Sequence, residues 1–84
     1  MTLEENVRHG KVCEAQMIRH VRPTCATVER MHRGADLRCT AANGQITFHE
    51  AKYGGSQLTP YQKGFCQKAL KSGQCYVVHR CRPE

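Results

Sequence analysis

Tryptophan is absent from this 84-residue chain, and three Tyr and two Phe are its only aromatics. Apolar residues of every kind make up 39%. That excludes a large core and a second domain, since a chain this short buries only about 60–65% of its unfolded surface. Cores so thin usually lean on disulfides, a metal or a partner chain, and a partner chain is expected here. No run is long or apolar enough to cross a membrane. The opening stretch, MTLEENVRHGKVCE, lacks the apolar segment of a secretory signal. The expected compartment is therefore the cytoplasm. Six cysteines then read as reduced, small buried hydrophobes rather than a disulfide framework. No Cys-x-x-Cys pair is present, so structural zinc has little support. His79 and Cys81, two apart on an expected strand, are the one pair able to face a common ligand. No other histidine has ligand spacing, and all five are expected at the surface. Repeats, low-complexity tracts and linkers are also missing. Acidic residues are scarce, 7 against 13 Lys plus Arg, for a net charge of +6. Such a balance favours a polyanionic partner, nucleic acid by default, although a merely soluble basic surface carries the same charge.

Thr2 and Glu5 form a capping-box pattern ahead of an amphipathic stretch from Leu3 to Val21. Gly10 interrupts it, so the stronger helix is expected over Lys11–His20, stopped by Pro23. Strands are expected over Cys25–His32, Ala35–Thr40 and Gln45–Lys52, with Asn43-Gly44 as the hairpin signal between the last two. Thr59, Pro60 and Gln62 announce a second helix by N-cap, first-turn proline and capping box, and Gly73 ends it. Cys75–Arg80 reads as a final strand. The order αβββαβ implies an α/β fold, a mixed sheet flanked by helices, in which the last helix–strand unit adds a parallel strand.

Side chains alternate faces along a strand. Ile46, Phe48, Glu50 and Lys52 therefore share one face, with the charged pair at its end beside a glycine-rich loop. The hairpin brings Asp36 roughly opposite Glu50 or Lys52. Two carboxylates so placed can share a hard divalent cation, and an adjacent lysine can orient water or stabilise charge on a phosphate. Taken alone, the triplet reads more readily as strand-end charges in a surface ion pair.

Its setting adds to this. Gly34-Ala35-Asp36-Leu37, then Ile46-Thr47-Phe48-His49-Glu50-Ala51-Lys52, then Gly54-Gly55-Ser56-Gln57-Leu58-Thr59-Pro60-Tyr61-Gln62-Lys63 resembles the VRR-NUC family, the virus-type replication-repair branch of the PD-(D/E)xK nucleases. Leu70, Gly73 and Tyr76-Val77-Val78 extend the resemblance, which covers about residues 34–80. Ala35 stands where the family usually has proline. The resemblance implies a restriction-endonuclease-like core and Mg2+- or Mn2+-dependent hydrolysis of DNA, as in archaeal Holliday-junction resolvases. It implies Asp36, Glu50, Lys52 and Gln62 as catalytic residues, and Asp36, Glu50, Ala51 and Glu14 around the metal. Glu14 also reads as an ordinary solvated helix charge, and Gln62 as a mere cap. The resemblance further implies a homodimer acting on branched DNA, with a phage or mobile-element origin in a host cytoplasm.

Tyr53, directly after the motif, can stack on or bond a phosphate, or simply sit half-buried in its loop. Lys63, Arg19 and Arg22 are further candidates for DNA contact, with Lys68, Lys71, Arg80 and Arg82 nearby in sequence. No motif for base-specific readout is present. Two other classes compete with the nuclease: a non-catalytic nucleic-acid-binding module of the same fold, and a zinc- or disulfide-stapled interaction protein.

Overall fold

A computed structural model describes residues 2–81 of the chain. Helix α1 (Leu3–Val21) leads through a 3-10 turn (Arg22–Thr24) into strands β1 (Thr27–Arg30), β2 (Leu37–Thr40) and β3 (Ile46–Tyr53); α2 (Pro60–Lys71) and β4 (Cys75–Cys81) follow. One sheet has the order β1-β2-β3-β4. The first two pairings are antiparallel and β3 pairs with β4 in parallel. The chain is thus α/β with a mixed four-stranded sheet.

Alternation in β3 divides the core. On one face Met17 and Val21 of α1 pack on Leu37 and Cys39. On the other, Ala69 of α2 joins Ala35 and Phe48, flanked by Met31, Ile46, Phe65 and Tyr76. Phe65 meets Phe48 edge-to-face with ring centroids 4.8 Å apart, a favoured aromatic geometry.

α1 runs unbroken through Gly10, where a break was expected. An exposed helical glycine costs only about 1 kcal/mol, and Thr2 holds the first turn by accepting the Glu5 N–H at 3.2 Å. Thr59 and Gln62 close a complete capping box on α2. The β2–β3 turn uses its glycine alone: Gly44 has φ +88° while Asn43 keeps a negative φ. Gly44 N–H donates to Ala41 O and Ala41 N–H to Gln45 O, each at 2.9 Å, a type I turn closed by a glycine bulge.

The cysteines depart from the reduced state expected for them. Cys13 is bridged to Cys81 and Cys25 to Cys39, while Cys66 and Cys75 are free. The physical reason is placement. The bridged pairs have Cα–Cα distances of 5.7 and 5.4 Å, inside the range a disulfide spans. One bridge fastens α1 to the end of β4, and the other fastens the chain entering β1 to β2. No helix among the described residues is long and apolar enough to cross a membrane.

Candidate active site

Asp36 stands one residue ahead of β2, and its backbone continues the ladder. Its N–H donates to His49 O at 3.0 Å, and its carbonyl accepts from Met31 N–H at 2.9 Å. Extending the Leu37↔His49 register by one step sets Asp36 opposite Glu50. The Asp36 side chain is anchored too, since Oδ2 accepts the Ala51 N–H at 2.8 Å. Glu50 is 4% exposed, and Lys52 Nζ lies 3.8 Å from its Oε2. Asp36 and Glu50 line a cleft of about 250 Å³. The 32–35 segment supplies one wall, and Thr59, Tyr61 and Gln62 at the start of α2 the other.

Burial pushes the Glu50 carboxyl up to about 7, helped by the Asp36 charge and against the pull of Lys52. Burial also raises Asp36, opposed by its hydrogen bond from Ala51. Both carboxyls are thus held above their ordinary range, and the pair keeps a proton more readily than two free carboxylates would. Two carboxyls packed together in this way are poorly solvated as anions. A divalent cation with its waters relieves that repulsion, which is the fit such a donor pair offers a metal. Ala51 can add only its main-chain carbonyl.

The remaining sequence candidates fall out unequally. Glu14 forms an ion pair with Arg30 of β1 at 2.9 Å. Its charge still raises both Asp36 and Glu50, but the carboxylate is held by the arginine. Among the described residues, no group of three or more His, Cys, Asp or Glu is arranged to hold a metal. Gln62 serves its capping box, Oε1 accepting the Thr59 N–H at 2.9 Å, and lines the cleft as well. Tyr53, Lys63, Arg19 and Arg22 do not line it. Tyr53 is on the opposite face of β3 from Glu50 and Lys52, stacked on His9 with centroids 4.6 Å apart. Lys63, Arg19 and Arg22 are exposed on α2, on α1 and in the 3-10 turn. Arg80 donates to Ser56 O at 2.6 Å and Gly54 O at 3.2 Å, bracing the β3–α2 loop. Arg82 lies outside the described residues.

Sequence reasoning missed two features. His49, expected at the surface, is 8% exposed, and its Nδ1 is 2.7 Å from His79 Nε2. Burial lowers both rings, and each is pushed further by a neighbouring histidine, His79 for His49 and His20 for His79. The signal was available for His49, because a residue between Phe48 and Glu50 must face the other helix. Arg33, set over the Tyr61 ring at 4.4 Å, had no comparable signal. The chain matches no family model, no curated protein and no solved structure.

Proposed function

We propose that this chain is a metal-dependent nuclease of the PD-(D/E)xK type, akin to the VRR-NUC family and with its restriction-endonuclease-like core, that hydrolyses DNA phosphodiester bonds. The observation that carries the reading is the buried Glu50 beside Asp36, with Lys52 3.8 Å away, at a cleft open to solvent. A carboxyl pair whose one basic partner among the described residues is a lysine is costly to bury, and a phosphate-bound divalent cation gives it a use. Asp36, Glu50 and the Ala51 carbonyl would hold Mg2+ or Mn2+, leaving positions for water and phosphate oxygens. When bound, such an ion polarises the phosphate and makes hydroxide available from water. The chain's own part is positioning. The Ala51 amide fixes Asp36, the sheet fixes Glu50, and Lys52 offers a cation to the attacking water or the developing phosphate charge. Glu50 must lose its proton to serve as a ligand, so activity should rise with pH through the neutral range.

The net charge of +6 supports DNA as the partner, through phosphate contacts without base readout. Leu3 and Val7, 78% and 50% exposed on α1, support the proposed homodimer, which light scattering in solution tests. The compartment proposed is the cytoplasm, of a host cell if the chain is phage-encoded. The two bridges weigh against it, because disulfides are rare there, and a thiol titration of freshly lysed protein decides between them.

Labelled junction, flap, single-stranded and duplex DNA, incubated with Mg2+, Mn2+ or EDTA, test the activity. Metal-dependent cleavage that disappears in Lys52→Ala and Asp36→Ala is expected. Wild-type protein that binds these DNAs and cuts none with either metal would instead be a binding module.

A further inference from the structure

Arg33 and Tyr61 meet at the cleft from opposite walls. The Arg33 guanidinium carbon sits 4.4 Å from the centroid of the Tyr61 ring, within cation–π range. Both residues line the cleft that holds Asp36 and Glu50. A carboxylate is the usual partner for an arginine in such a place. Yet among the described residues Arg33 has no ion pair or side-chain hydrogen bond. Its donors are left for something else.

The backbone beside each half of the stack is anchored. Gly34, next to Arg33, is buried at φ +82° against the Phe65 ring, and its carbonyl accepts the Tyr76 hydroxyl at 2.6 Å. Tyr61 stands in the first turn of α2, inside the Thr59–Gln62 capping box. Tyr61 nevertheless keeps 52% of its surface exposed. The cleft itself, about 250 Å³, is smaller than the ~300–1,000 Å³ that takes up a whole drug-sized ligand. On the nuclease reading it would take one phosphodiester link, and the neighbouring nucleotide would then rest on the rim, where Arg33 and Tyr61 are.

We propose that Arg33 and Tyr61 form a subsite that grips an unpaired nucleotide flanking the phosphodiester held in the cleft. This rests on the nuclease reading for the path of the strand, but the contact itself can be measured without cleavage. The guanidinium takes a phosphate with its free donors, and the layered guanidinium and ring offer planes on which a base stacks. A base inside a regular duplex is stacked on both sides and has no free face. The pair therefore selects DNA that is single-stranded beside the cut: a flap, an overhang or an opened junction arm.

Binding by the full chain in EDTA, to a blunt duplex and to the same duplex carrying a short single-stranded flap, tests this. The wild type is expected to prefer the flapped duplex. Tyr61→Leu should weaken flap binding roughly 5- to 150-fold, the range for one lost base stack, and blunt-duplex binding far less. Tyr61→Phe, which keeps the ring, should behave as wild type. Arg33→Gln should also lower flap affinity and flatten its log–log salt dependence by about 0.7, one single-strand phosphate contact. Equal losses on both DNAs, no flap preference in the wild type, or a Tyr61→Phe as weak as Tyr61→Leu would each overturn the proposal. Cleavage is read separately on the wild type with Mn2+. A chain that never cuts but loses its flap preference in Tyr61→Leu sinks the nuclease reading and leaves the subsite standing.

Discussion

Glu50→Gln should make the metal-free protein more stable while abolishing its activity. The reason is the buried carboxyl pair. Moving Glu50 from its ordinary 4.5 to about 7 corresponds to about 3 kcal/mol, at ~1.4 kcal/mol per pH unit. Between those values the folded protein keeps a proton that the unfolded chain releases. That stabilisation is fully present below pH 4.5 and is lost as pH rises through about 7. Gln does not titrate, so the variant escapes the loss. Lys52 would give up its contact at 3.8 Å, which offsets part of the gain and leaves roughly 1–3 kcal/mol at pH 8. For a domain this small that is a rise in melting temperature of several degrees. Urea or thermal unfolding in EDTA, taken from pH 5 to 8 on both proteins, gives the answer. The His49–His79 pair titrates alike in both and cancels in the difference. Divalent cation should then stabilise the wild type by ligand linkage and scarcely move the variant. Stability curves that run parallel over this range would refute the reasoning, because Glu50 would then carry its charge at little cost.

Gly34→Ala should destabilise by roughly 2–5 kcal/mol in chemical denaturation, combining a left-handed backbone with an overpacked core. The new Cβ would stand 2.5 Å from Phe65 Cδ2, and because Asp36 is two residues on, cleavage should fall as well. Cys13→Ala opens a bridge spanning 68 residues and should cost about 4 kcal/mol on the chain-entropy account. Adding reductant to the wild type should lose at least as much, and equal stability with and without reductant would show the bridges unformed. The buried histidines give a second, opposite pH effect. With both rings held below their ordinary 6.5, their stabilisation is present above that pH and is lost as pH falls, when they must charge. His79→Phe should flatten this acid limb of the unfolding curve.

Local signals carried most of the fold. Capping at Thr59, the stop at Gly73 and the glycine turn at Gly44 act over a few residues, and each is met in the structure. The expected strand over Cys25–His32 was too long, and β1 keeps only Thr27–Arg30. Its flanks are drawn into other work: Cys25 bridges to Cys39, and the Met31 amide reaches Asp36 O at 2.9 Å. Hydrophobic pattern alone cannot see either demand. Gly10 misled in the other direction, because its propensity is outweighed by a helix face that packs Met17 and Val21 on the sheet.

The candidate site divides along the same line. Asp36, Glu50 and Lys52 could be placed from sequence because a single hairpin register and a period of two relate them. Glu14 could not, since where α1 lies across the sheet decides whether it meets the carboxyls or Arg30, and only the assembled fold answers that. The same holds for Cys13 with Cys81, His49 with His79, and Arg33 with Tyr61. Each of those contacts depends on a parallel pairing or on a helix docking across β3. The alternation that sends Glu50 into the cleft also obliges His49 and Ala51 to face α1. β3 thus carries the proposed chemistry on one side and a histidine-lined packing surface on the other. A register slip of one residue would exchange the two faces, burying the lysine under α1 and exposing the histidine to the cleft. The hairpin turn and the β2–β3 ladder set that register, and Asp36 extends it by one step, with its amide on His49 O and its carboxylate on the Ala51 amide. The proposed catalytic aspartate therefore also helps hold β3 in the frame its chemistry needs.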